Sequence, residues 1–285
     1  MNSFTEHQKG LLGVLAAAVL WSSGGLFIKL ISLNAMQLSF FRCLIAALLI
    51  GVVFRKNVIY TNGLAIINAL FYAAVLILFV IATKTTTAAN AIFLQSTAPI
   101  YVLIFEPLIN KTKYEKINII TIVVCFLGML LFFMGELSPG HLHGNIVALA
   151  AGVAFAAFFL GMRKNKNEYQ FSSIFYGNVL VALICFPFAL EIETLTFHDM
   201  WMVSFLGIFQ IGLAYIFFTY GLRRVLAIEA SMISLIEPVF NPIWVFIGYN
   251  EIPSGTAIIG GIIIISAITI RTVIVETKYL RRKTV

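Results

Sequence analysis

Charge is scarce in this chain of 285 residues: only 11% of it is Asp, Glu, Lys or Arg, and Asp199 is its single aspartate. So little polar character cannot clothe a water-soluble globule, which excludes that class. A lone aspartate cannot form an aspartyl dyad, and no HExxH or GxSxG spacing supplies metal or serine chemistry, so an enzyme is not expected. A GxxxxGK[ST] loop is also missing, which removes ATP hydrolysis as a power source. Cys43, Cys125 and Cys185 lie apart in apolar stretches without CxxC spacing, so neither a disulfide framework nor a zinc site is indicated. His141 and His143 form an isolated pair with no further ligand cluster. No cofactor and no metal are expected.

Apolar sequence is what the chain has instead: 61% hydrophobic residues and a mean hydropathy of +1.00. A bilayer crossing needs about 20 apolar residues. Ten stretches qualify: 11–31, 37–54, 62–83, 88–109, 117–135, 144–162, 172–190, 200–222, 228–248 and 255–275. The first runs past Trp21 without a small-residue cleavage site, so it reads as a helix and not as a secretory signal. Linkers are short and leave no room for a soluble catalytic domain, so successive helices should run antiparallel in one bundle.

The net charge of +7 does not point to nucleic acid, because its placement is one-sided. Lys9, Arg55, Lys56, Lys111, Lys113, Lys116, Arg163, Lys164, Lys166, Arg223, Arg224, Arg271, Lys278, Arg281, Arg282 and Lys283 fall on one side of a ten-span topology. Lys29, Arg42 and Lys84 are left at or near the other. The positive-inside rule then predicts an integral cytoplasmic (inner) membrane protein with both termini in the cytoplasm. The closing YLRRK, Tyr279 to Lys283, reads as an anchor on anionic lipid.

A shift of 139 residues sets Lys84 on Arg223, Ala88 on Ala227, Ala91 on Ala230 and Pro99 on Pro238. A shift of 134 sets Gly10 on Gly144 and Lys29 on Arg163. Five spans per copy is an odd number, so two copies must enter the bilayer from opposite sides, a build that recurs in secondary transporters. The expected fold is all-α, with ten transmembrane helices as two inverted five-helix repeats, residues 1–140 and 141–285.

The segments LWSSGGLFIKL (Leu20 to Leu30), LSFFRCLIAALLI (Leu38 to Ile50), IATKTTTAANAIFLQSTAPIYVLI (Ile81 to Ile104) and the run from Tyr220 to Gly261 give the chain a pattern. In that pattern it resembles the EamA family of the drug/metabolite transporter superfamily along nearly its full length. The resemblance implies a central cavity built from spans one, three, four, six, eight and nine. Thr112 and the Glu106-Pro107 pair depart from the pattern.

An ionisable group at the hydrocarbon centre is a functional candidate by default. Glu237 is the foremost, about 15 Å into its span at 1.5 Å per residue. It is read either as a proton or cationic-group acceptor that couples transport, or as a structural acid at the repeat interface. Ser234 and Asn241 fall at i−3 and i+4 and extend a polar stripe. Trp21, Ser22, Asn68, Tyr72, Asn90, Gln95, Thr97, Gln210 and Tyr215 are the remaining substrate-binding candidates. Arg42 is a structural or gating residue that could also hold a carboxylate. Pro99 and Pro238 disturb their helices and serve as gating points.

The function expected is secondary-active transport of a small metabolite, an amino acid or related solute, by alternating access. Export or exchange is the expected direction, with protons as coupling partners, and multidrug or cation efflux is the alternative. A passive channel would need charged rings or a carbonyl filter, and neither is visible.

Overall fold

The computed structural model describes residues 4–134, 137, 141–192, 194–249 and 254–283. All regular elements among them are helical. The first half comprises α1 (Glu6–Trp21), α2 (Gly24–Leu30), α3 (Ala35–Phe54), α4 (Gly63–Thr85), α5 (Ala88–Gln95), α6 (Ala98–Asn110) and α7 (Lys116–Phe132). The second comprises α8 (Leu142–Lys164), α9 (Gln170–Ala189), α10 (Phe197–Phe205), a π-helical segment (Leu206–Leu213), α11 (Ala214–Leu222), α12 (Ala227–Ser234), α13 (Ile236–Tyr249) and α14 (Gly255–Lys283).

Eight helical segments among the described residues are long and apolar enough to cross a bilayer, and α7 is a shorter apolar helix. The stretch 227–249 is divided between α12 and α13. The shorter α7 and this divided stretch fall where the fifth and ninth of the ten hydropathy stretches were read. Boundaries moved where capping chemistry decides them. Helix α1 starts before the apolar run because Thr5 and Gln8 form a capping box, and Asn34 and Gln37 do the same for α3.

Three crossings are broken near their middle, and the sequence supplies the reasons. Pro99 and Pro238 offer no N–H to the carbonyls of Gln95 and Ser234 and would clash with them. The breaks fall there, after Gln95 and after Ser234. In the first crossing, Ser22 and Ser23 turn their hydroxyls back onto the carbonyls of Val19 and Leu20 at 2.6 and 2.8 Å, which bends the helix at a Ser-Ser-Gly-Gly run.

Contacts fix the orientation of each half. His7 of α1, Asn118 of α7, Glu229 of α12 and Arg271 of α14 meet at the end that carries the basic loops. Ile31 after α2, Lys84 of α4, Asn90 of α5 and Asn145 of α8 meet at the other. Helices α1 and α8 therefore run in opposite directions, as do α5–α6 and α12–α13. The crossings also pair symmetrically: three with six and one with eight, two with seven, five with ten, four with nine. Adding or subtracting five maps that set onto itself, as a two-fold axis in the membrane plane requires.

Lipid is as apolar as leucine, so helices in a bilayer are held by close packing of small residues. Gly221 shows why. A Cβ there would stand 2.6 Å from the carbonyl oxygen of Gly10 and 2.8 Å from the amide nitrogen of Val14, so only glycine lets α11 touch α1. Gly260 plays the same part against Gly128 where α14 meets α7. Large side chains such as Leu48, Leu70, Leu127 and Ile262 turn outward, where acyl chains would solvate them.

Candidate functional site

A chamber lies where the broken crossings meet the π-helical segment. Its polar wall is Trp21, Arg42, Gln95, Gln210, Tyr215 and Glu237, and Val75, Leu76, Phe79, Phe155 and Ile211 complete it. A π-helix is rare and concentrates at functional positions. Here it carries Gln210, which it lays against the start of α2: a Cβ on Gly24 would sit 2.5 Å from the Gln210 amide nitrogen.

Arg42 is fully buried. Its Nη2 donates to the Leu76 carbonyl at 2.9 Å and its Nη1 to Gln210 Oε1 at 3.4 Å, while Nε has no partner among the described residues. The indole N–H of Trp21 is likewise buried without an acceptor. Its ring is fixed against Tyr215, Phe218 and Phe155 at centroid distances of 5.0, 5.3 and 5.7 Å. Glu237 faces the same chamber as Arg42, yet the two form no ion pair within 4.0 Å. A guanidinium and a carboxyl group thus look into one chamber, each with bonding capacity left over. The free volume is only about 30 Å³, enough for about two water molecules and for no metabolite. The chamber is collapsed in this conformation.

The other predicted residues are distributed differently. Tyr72 packs edge-on to Tyr215 at 4.6 Å, just behind the wall, and accepts from Asn178 Nδ2 at 2.9 Å. Asn68 lies one turn further from the chamber, fully buried. Asn241 abuts Gly25 on α2. Ser22 accepts from Trp244 Nε1 at 2.8 Å. Thr97 donates to the Leu94 carbonyl at the break before Pro99. Ser234 donates to Ser231 O at 2.6 Å and sits on α12, so the break divides the stripe expected to join it to Glu237 and Asn241. Asn90 is engaged at the outer turn described next.

A turn at each end of the bundle is fastened by polar side chains. At the basic end the turn 223–226 joins α11 to α12, and four groups bind it. Arg223 donates to Gln170 Oε1 at 2.9 Å and to the Asn167 carbonyl. Arg224 pairs with Glu6 at 2.8 Å. The Glu106 carboxylate accepts from the amides of Ala227 and Ile228, both at 2.8 Å, and so caps α12 from across the repeat interface. Glu229 pairs with Arg271 at 2.8 Å and with His7 at 3.1 Å, all buried or nearly so, while Arg271 also donates to Asn118 Oδ1 and His7 contacts Glu276. At the opposite end the turn 86–87 joins α4 to α5. There Asn90 Nδ2 donates to Thr86 Oγ1 and Asn145 Oδ1, and Lys84 donates to the Ile31 carbonyl at 2.7 Å.

The hydropathy reading counted Arg271 with the loop charges, and Glu106 entered only as part of a departure from the family pattern. Both are buried, at 3% and 1% exposure. Glu229 and His7 escaped notice, although the 139-residue shift sets Asn90 on Glu229 and pointed to the position.

The chain matches the EamA-like transporter family twice, over residues 8–134 and 142–273. It is 26% identical over 282 residues to solute carrier family 35 member G1 of Homo sapiens, an alignment that covers 90% of this chain and 77% of the relative. It is 21% identical over 269 residues to the pseudopaline exporter CntI of Pseudomonas aeruginosa, covering 91% and 94%. A solved crystal structure superposes with a TM-score of 0.78 at 17% identity, covering 93% of this chain and 96% of the other, which shows a shared fold.

Proposed function

Since the chain belongs to the EamA-like transporter family and is a multi-pass membrane transporter, we propose that it carries a small zwitterionic metabolite, an amino acid or a close relative, by alternating access. The observation that carries this reading is the placement of Arg42 and Glu237 on one chamber whose wall also holds the amides of Gln95 and Gln210. A guanidinium suits a carboxylate and a carboxylate suits an ammonium group. The aromatic faces of Trp21, Tyr215 and Phe155 suit an apolar side chain. Since the collapsed chamber admits no solute, binding must be coupled to opening at one end, and the two end turns are the natural gates.

The two halves, residues 1–140 and 141–285, act as rocking units on this reading, with Pro99 and Pro238 as the points where α5–α6 and α12–α13 flex. The Glu237 carboxylate takes either a proton or the solute's ammonium group, one displacing the other, which couples solute movement to a proton gradient. The basic end faces the cytoplasm by the positive-inside rule, and the direction is export or exchange, in keeping with the similarity to the pseudopaline exporter CntI. Asn68, Tyr72, Ser22, Thr97, Asn90, Ser234 and Asn241 join the solute route as the gates move. Multidrug or cation efflux is favoured by one observation, the aromatic wall around a single acid.

Counterflow in proteoliposomes tests both. A radiolabelled mixture of the protein amino acids should accumulate saturably against unlabelled internal solute. Arg42→Met and Glu237→Gln should each abolish that accumulation. Survival of organic-cation transport in Arg42→Met together with loss of amino acid counterflow would favour the efflux reading, and saturable amino acid counterflow intact in both variants would remove the chamber as the binding site.

A further inference from the structure

Below the chamber, on the side of the basic end, four fully or nearly fully buried side chains hold polar atoms with no partner among the described residues. They are Thr219 Oγ1, Asn178 Oδ1, both amide atoms of Asn68, and Asn165 Nδ2. Buried polar groups are almost always paired with protein or ordered water, so such a concentration calls for a physical reason.

Their positions form a line. Tyr215 borders the chamber, and Thr219 lies one turn beyond it on the same face of α11. Tyr72 touches Tyr215, and Asn68 lies one turn beyond Tyr72 on the matching face of α4. Asn178 donates to the Tyr72 hydroxyl and keeps its own Oδ1 spare. Asn68 fits against Gly161 of α8, where a Cβ would collide with its Oδ1, and Asn165 lies one turn past Gly161 next to Asn62 at the basic end. Each step along a helix face is about 6 Å, the reach of one or two waters. Toward the opposite end the described residues offer just the Ser39 hydroxyl in a similar state.

We infer that Asn165, Asn68, Thr219 and Asn178 hold a file of water that carries protons between the basic end and Glu237 while the gate beside it stays shut to solute. The inference rests on the proposed coupling role of Glu237. A proton entering as hydronium at Asn165 passes from water to water, with the Tyr72 and Tyr215 hydroxyls along the way, and ends on the Glu237 carboxylate. The carboxylate becomes a carboxylic acid and neutral water is left behind. The amides and hydroxyls orient the waters and are not themselves consumed. Gly161 belongs to the same device, since any side chain there would push Asn68 out of line.

Proteoliposomes loaded with a pH-sensitive dye and given the same radiolabelled amino acid mixture separate the two claims. Thr219→Val and Asn178→Leu should retain counterflow and melting temperature close to the parent protein, while solute-driven proton movement slows roughly tenfold or more. Unchanged proton movement in both variants overturns the inference, as does a fall that merely follows counterflow, or a parent protein that exchanges solute without moving protons. Absence of counterflow in the parent protein would instead count against the transport reading. Independently of activity, Asn68→Cys and Thr219→Cys should react with a small hydrophilic thiol reagent, unlike the native buried cysteines. Silent thiols at both positions would also overturn the file.

Discussion

The turns at the two ends of the molecule, 86–87 and 223–226, correspond under the 139-residue shift, yet they are fastened by different chemistry. The basic-end turn is held by charge: Glu229 with Arg271 and His7, Arg224 with Glu6, and Glu106 on the first amides of α12. The opposite turn is held mainly by neutral amides and hydroxyls, Asn90, Thr86 and Asn145, beside a single Lys84 bond to a carbonyl. Asn90 and Glu229 stand at the same position of the repeat. A neutral hydrogen bond contributes about 1 kcal/mol net, whereas stripping one partner from a buried ion pair costs about 3–5 kcal/mol. The basic end should be the harder of the two to open.

The comparison is broken or sharpened most forcefully at its matched pair. Glu229→Ala leaves Arg271 buried without its acid and should lower stability by about 3–5 kcal/mol, whereas Asn90→Ala should cost about 1 kcal/mol. Thermal melts in detergent measure both, and equal losses would erase the distinction between the ends. Gly221→Leu should cost about 1–3 kcal/mol by forcing α11 from α1 just above the charged turn, read in the same melts. Glu106→Gln keeps the shape of the cap and loses its charge, so a loss of about 1 kcal/mol is expected. A faster rate of solute release at the basic end should accompany it, and an unchanged rate would remove Glu106 from the gate. Glu6→Gln acts on an exposed pair and should leave the melting point where it was.

Much of this architecture was legible beforehand, and the reasons are local. Apolar length marks crossings whatever they pack against, and a proline breaks its own helix, so the divisions before Pro99 and Pro238 could be placed by inspection. Pairing across the fold is another matter. Arg271 looked like a loop charge because its burial depends on Glu229, which lies 42 residues away. The π-helical segment under Gln210 contains no proline to announce it. Ser234 was joined to Glu237 by helical periodicity, which holds only for an unbroken helix, and the break that Pro238 imposes lies between them. Arg42, Glu237, Gln95, Gln210, Tyr215 and Trp21 were named as candidates one by one, as polar or aromatic groups at apolar depth. Their convergence on one chamber needed the fold.

Reciprocal gating is tested most directly by spin-label distances at both ends of one protein in lipid. One label pair at Thr85→Cys and His143→Cys reports the neutral end, and another at Lys9→Cys and Tyr220→Cys reports the charged end. Addition of transported solute should lengthen one distance while the other stays short, with the neutral end opening first. Simultaneous lengthening of both distances, or transport with neither changing, would contradict alternating access about the collapsed chamber.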